Sequence, residues 1–135
     1  MAVDVLIVDD SVPLRTLLKR RLETVGCTVV AEAGDAFEGL KLFRSAKPQL
    51  VTLDLMMPLV AQVDAKSMFR SIRKESPETA IIVISAQPKV QEKADYLREG
   101  ALDYVQKPFI DFEALYEKLR HCFPELARLK SGGPV

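Results

Sequence analysis

Short runs of consecutive apolar residues alternate along this chain with longer segments whose apolar positions recur every three or four residues. The runs are Val5-Leu6-Ile7-Val8, Val29-Val30-Ala31, Leu50-Val51-Thr52-Leu53, Ile81-Ile82-Val83-Ile84 and a weaker Asp103-Tyr104-Val105. The first, third and fourth are apolar at successive positions, as in strands covered on both faces of a parallel sheet. Between them, Leu14, Leu17, Leu18, Leu22 and Val25 follow helical spacing, with Pro13 in a first turn where its missing N–H costs nothing. Ala36, Leu40 and Phe43 mark a second helix, ended at Lys47-Pro48. Ala65, Met68, Phe69 and Ile72 mark a third, stopping before Pro77. Val90, Ala94 and Leu97 mark a fourth, closed by Gly100, and Phe112, Leu115, Tyr116, Leu119 and Phe123 a fifth. Five βα units in series predict an open α/β sheet with right-handed crossovers and helices on both faces. Ligands of such sheets sit beyond the carboxyl ends of the strands, so polar residues there are candidates for chemistry.

Composition narrows the picture further. The chain has 135 residues, enough for one domain, and 48% are hydrophobic, enough for a single core. Nineteen basic residues balance nineteen acidic ones, which argues against a broad electrostatic footprint for nucleic acid or an anionic membrane. Cys27 and Cys122 lie far apart, outside C-x-x-C spacing, and read as buried thiols of a reducing cytosol rather than a disulfide. No secretion signal or membrane span is indicated, so a cytoplasmic location is expected. Lys130-Ser131-Gly132-Gly133-Pro134-Val135 reads as a flexible linker or chain end.

The strand ends carry the chemistry. The first run ends in Asp9-Asp10, the third in Asp54, the fourth in Ser85-Ala86, and the fifth leads into Lys107-Pro108. Three carboxylates, a hydroxyl and an ammonium would share one rim. Close carboxylates repel in a poorly screened cleft, and with Lys107 the local sum is about −2, which a divalent cation neutralises. The donors are oxygens and the single histidine, His121, lies on the last helix, where it reads as a solvated residue without a role. A hard cation such as Mg²⁺ is therefore favoured over zinc, and Mg²⁺ between carboxylates suggests phosphoryl chemistry.

Ile7-Val8-Asp9-Asp10-Ser11, Leu53-Asp54-Leu55-Met56-Met57-Pro58, Ile84-Ser85-Ala86 and Tyr104-Val105-Gln106-Lys107-Pro108-Phe109 resemble the signatures of response-regulator receiver domains, the CheY-like half of two-component signalling. Gly34-Asp35, entering the second helix, also matches. The resemblance runs over residues 3–123 and implies a receiver domain at 1–123 with a C-terminal tail or linker at 124–135. It implies a flavodoxin-like, doubly wound, five-stranded parallel sheet of order 2-1-3-4-5 with five helices.

Carried over residue by residue, the resemblance makes Asp54 the phosphoacceptor, attacking a kinase phosphohistidine to form an acyl phosphate. Asp10 and Asp54 would bind Mg²⁺ directly with the backbone carbonyl of Met56, and Asp9 through water; Mn²⁺ can substitute. Lys107 and Ser85 would hold phosphoryl oxygens, with Pro108 in cis. Tyr104 would report the change by moving inward as Ser85 is drawn to the phosphoryl group, altering the surface of the fourth helix, fifth strand and fifth helix. Met56 and Gln87 would tune how water reaches the phosphoryl group. Implied partners are a sensor histidine kinase or phosphotransfer protein, a downstream effector protein or a missing output domain, and a second copy in a phosphorylation-dependent homodimer. Neither nucleic acid nor membrane is expected to bind the domain directly. Beyond self-catalysed phosphotransfer and autodephosphorylation, no enzymatic turnover is implied.

The pattern departs from the family after Pro58. Leu59-Val60-Ala61-Gln62-Val63-Asp64-Ala65 replaces the usual Gly-Met-Asp-Gly, lengthening the segment by about three residues, a change that loop entropy tolerates. The glycine that normally accepts a left-handed conformation is missing. This loop is expected to tune phosphate lifetime or partner choice. Two other readings compete. A phosphorylation-independent interaction module would not need Asp9, Asp10, Asp54, Ser85 and Lys107 together. An aspartate-nucleophile phosphatase would place Asp-x-Asp after one strand, and a flavodoxin would follow its first strand with a Ser/Thr/Gly-rich loop; neither pattern is present.

Overall fold

A computed structural model describes residues 2–86, 89–107 and 110–129. Five strands, β1 (Val3–Val8), β2 (Cys27–Ala33), β3 (Leu50–Asp54), β4 (Ala80–Ser85) and β5 (Asp103–Gln106), alternate with five helices. These are α1 (Val12–Thr24), α2 (Ala36–Ala46), α3 (Ala65–Glu75), α4 (Val90–Arg98) and α5 (Phe112–Cys122). The strands pair in parallel in the order β2-β1-β3-β4-β5, as the motif resemblance implied.

Consecutive apolar residues point to opposite faces of a strand, so each central strand feeds two cores. Leu6, Val8, Val51, Leu53, Ile81 and Val83 meet Phe43 of α2 and Met68, Phe69 and Ile72 of α3 on one face. Val3, Val5, Ile7, Leu50, Ile82 and Ile84 meet Leu18 and Leu22 of α1 and Leu115, Tyr116 and Leu119 of α5 on the other. Burying each such aliphatic side chain contributes about 1.5–3 kcal/mol, so both faces hold the sheet in place. At the edge, β2 alternates buried and exposed positions. Val30 is the extra residue of a bulge there: Val5 pairs with Val29 but Leu6 with Ala31.

Side chains start the helices where the sequence provides them. Ser11, Asp35, Asp64 and Asp111 each accept a hydrogen bond from a backbone N–H of the first turn of α1, α2, α3 and α5. Lys47 closes α2 in the left-handed conformation at φ 49°, just before Pro48. Gly100 follows α4 at φ 109°, a conformation that strains any side chain, and an added Cβ would lie 2.5 Å from Arg73 Nε and displace that guanidinium.

Three expectations are corrected. The Val90, Ala94 and Leu97 stripe does not seat α4. Val90 is 90% exposed, Ala94 and Leu97 are exposed too, and the residue α4 buries is Tyr96. An aromatic ring offers more area to bury than these small or terminal aliphatics and sets the rotation of the helix. Cys122 is exposed at the end of α5, and only Cys27 is buried; both thiols are free. Packed structure also continues past residue 123. Pro124–Leu129 forms a 3₁₀ helix, and Leu126 (1% exposed) joins the α1/α5 core.

Candidate functional site

The carboxyl ends of β1, β3 and β4 deliver the side chains singled out above to one place. Asp9 follows the last residue of β1 and is fully buried, whereas Asp10 is exposed. Asp54 closes β3 and Ser85 closes β4, both buried. Parallel register sets their depth: Leu53 pairs with Val8 and Asp54 with Ile84. Lys107, just beyond β5, is tied to β4 by its backbone N–H, which donates to the Ser85 carbonyl at 3.1 Å.

One carboxylate oxygen from each of Asp9, Asp10 and Asp54 lies within 4.8 Å of the others. Lys107 Nζ donates to Asp9 Oδ2 at 3.3 Å and stands 3.2 Å from Asp54 Oδ2. Asp9 Oδ1 accepts from the Ser11 N–H at 2.8 Å, and Asp54 Oδ1 from the Met56 N–H at 3.1 Å. Asp54 Oδ2 is buried and makes no aligned hydrogen bond, its contact with Lys107 being ionic only. Among the described residues its charge is answered by the Lys107 ammonium alone, without an aligned donor, which leaves capacity for a further cation or a covalent partner.

Electrostatics follow from burial. Desolvation pushes the Asp54 carboxyl up to about 6; the neighbouring Asp9 charge adds to this, while the Met56 N–H and Lys107 oppose it. For Lys107 burial works against the charge, but Asp54 and Asp9 outweigh it and its pKa is raised. Oxygen donors of this number and charge suit a hard divalent cation such as Mg²⁺.

Other site residues are placed differently. Tyr104 already lies inward, 5% exposed, with its hydroxyl donating to Glu92 Oε1 at 2.7 Å. The Met56 side chain is half exposed at the rim. Gln87 and Pro108 lie outside the described residues, so neither a tuning role for the first nor a cis peptide at the second is addressed. The unusual loop after Pro58 folds as a miniature hairpin in which Val60 and Val63 exchange backbone hydrogen bonds of 3.4 and 2.9 Å. Ala61 and Gln62 take φ 51° and 65°, the left-handed pair that such a turn requires, without glycine at either position. Leu59 beside it is 58% exposed.

Sequence reasoning passed over Arg15 and Glu92. Arg15 donates from Nη1 to the Asp9 carbonyl and from Nε to Glu32 at 3.2 Å, bracing the β1–α1 turn. Each acts on a residue brought near only by the fold, and no local spacing announces either.

A parallel sheet of this order with an acidic pocket and a lysine at its carboxyl end defines a CheY-like module. The chain matches the response regulator receiver domain family over residues 5–120 and belongs to it. It is 38% identical over 105 residues to the probable transcriptional regulator ycf27 of Porphyridium aerugineum, covering 78% of this chain and 42% of that protein. It thus spans less than half the length of that relative. It is 35% identical over 104 residues to the chemotaxis protein CheY of Listeria monocytogenes, covering 77% of this chain and 85% of that one. In three dimensions it resembles the CheX-CheY-BeF3-Mg complex of Borrelia burgdorferi, with a TM-score of 0.79 and 28% identity over 90% of this chain and 89% of that one. No helix among the described residues is long and apolar enough to cross a membrane.

Proposed function

We propose that Asp54 accepts a phosphoryl group from the phosphohistidine of a sensor kinase or phosphotransfer protein. A carboxylate oxygen of Asp54 attacks phosphorus, the P–N bond breaks, and the histidine leaves with a proton; an acyl phosphate remains on Asp54. The observation that supports this best is a buried, strand-closing aspartate with one oxygen free of aligned hydrogen bonds, beside two further carboxylates and an ammonium. Lys107 would hold a phosphoryl oxygen and Ser85 another, so the protein's contribution would be positioning and charge neutralisation.

Asp10 and Asp54, with Asp9 behind them and the Met56 carbonyl, would hold Mg²⁺, or Mn²⁺ in its place. Bound there, the ion would offset the charge of carboxylates and phosphoryl oxygens. Phosphorylation adds about −1.5 to −2 charges, and Lys107 and Ser85 supply the donors that answer it. Movement of Ser85 and Tyr104 would shift the populations of the α4-β5-α5 surface toward a form that binds an effector, an output domain or a second copy. The domain would work in the cytoplasm, with its packed core reaching at least to Leu126, and would turn over no substrate beyond its own phosphoryl group.

Intact mass after incubation with acetyl phosphate and Mg²⁺ tests this. The parent chain is expected to gain one acid-stable, base-labile phosphoryl group, and Asp54→Asn none. An unmodified parent would favour a phosphorylation-independent binding module.

A further inference from the structure

We propose that Glu92 is the clasp that holds Tyr104 turned inward, so that the seat of α4 depends on this pair; the inference rests on the receiver reading above. Glu92 and Tyr96 of α4 lie one turn apart and therefore on the same side of the helix, Tyr96 buried and Glu92 partly so. Both engage Tyr104 of β5. Glu92 accepts the phenol hydrogen at 2.7 Å, and the Tyr96 and Tyr104 rings lie 6.2 Å apart at 35°. Tyr96 in turn meets Phe69 of α3 edge-on at 5.0 Å.

The rest of α4 does little to anchor it, because Val90, Ala94 and Leu97 face outward. Other carboxylates near Glu92 have their own partners: Asp95 is engaged by Arg98 and Gln91, and Glu99 by Arg70. Glu92 instead turns to the phenol. Burial and then the Glu92 hydrogen bond raise the Tyr104 pKa, which keeps the hydroxyl protonated and able to donate; Ser85 acts on the same hydroxyl in the opposite sense. Ser85, the candidate phosphoryl ligand, and Glu92, on the helix, thus share one phenol. Glu92 is a positioning residue: it stands outside the Asp9, Asp10 and Asp54 cluster and, through the phenol, sets how firmly α4 follows the ring.

The test uses the full chain with fluorotyrosine at its three tyrosines, the Tyr104 resonance being assigned by its loss in Tyr104→Phe. Inward and outward rings differ in fluorine shift and in the solvent isotope shift on changing H₂O for D₂O. In Glu92→Ala the inward-to-outward ratio of Tyr104 is expected to fall about tenfold, equivalent to about 1.4 kcal/mol, with the Tyr116 resonance unmoved. Glu92→Gln retains an acceptor oxygen and is expected to stay within about threefold of the parent. A Tyr104 signal unchanged in Glu92→Ala overturns the proposal, as does an equal loss in both variants, which would exclude the hydrogen bond as the cause. These readings are taken without phosphate. Failure of the parent to take up a phosphoryl group from acetyl phosphate would instead refute the receiver reading and leave the clasp measurement standing.

Discussion

Asp54 is costly to keep charged before anything binds it. Its folded pKa, pushed up to about 6 from an ordinary 3.8, means the folded chain holds the proton more tightly than the unfolded one. Stability from this group is therefore complete below about pH 4 and lost as pH rises through about 6. Asp54→Asn, which cannot ionise, is expected to melt higher than the parent at pH 7.5 in EDTA and to show no advantage at pH 4; scanning calorimetry at the two pH values checks this. Lys107→Ala removes the ammonium 3.2 Å from Asp54 and leaves the carboxylates to repel one another. Its metal-free form is expected to lose stability at neutral pH, and Mg²⁺ to recover more stability than it does in the parent, read as the shift in melting temperature with added ion.

Among the elements, the hairpin after Pro58 and the start of α3 carry the sharpest consequences. Left-handed backbone costs a non-glycine residue about 1–2 kcal/mol. Gln62→Gly, at φ 65°, is expected to raise stability by about 0.5–1 kcal/mol in urea titration, part of the relief being offset by glycine's greater freedom in the unfolded chain. Asp64 caps α3 in a reciprocal pair with Ser67, whose N–H donates at 2.8 Å. Asp64→Ala should cost about 1 kcal/mol. The Ser67 hydrogen bond holds the Asp64 pKa below its ordinary value, so this stabilisation is present at neutral pH and fades as acid protonates the cap.

The same elements show where sequence is legible. The buried strands, the α3 stripe and the aspartates closing strands could be read directly, because period and position along one segment determine them. Which way α4 turns could not: that depends on the ring of Tyr104, supplied by a different element. Ala61 and Gln62 taking up a left-handed pair was equally hidden, since the residues themselves disfavour it and the closure of Val60 on Val63 imposes it.

Across the whole molecule, packing does not end with α5. Leu126→Ala is expected to cost about 2–4 kcal/mol in urea unfolding, since the side chain is buried among α1 and α5 residues and leaves a cavity. A chain cut after Phe123 should lose a comparable amount. A boundary placed by family motifs alone would thus remove part of the core. The sheet meanwhile separates two tasks. Its carboxyl end gathers the charged groups, and its two faces supply cohesion through the helices packed on them.

The outward turn of Val90, Ala94 and Leu97 has an evolutionary consequence. Substitutions at such exposed positions usually change stability by less than about 0.5 kcal/mol. If this surface meets partners as proposed, the lineage can rewrite these side chains freely, acquiring or discarding binding companions, while Tyr96 and Glu92 underneath stay untouched. Duplicated copies of the gene could diverge in allegiance this way, keeping one chemistry and avoiding crosstalk.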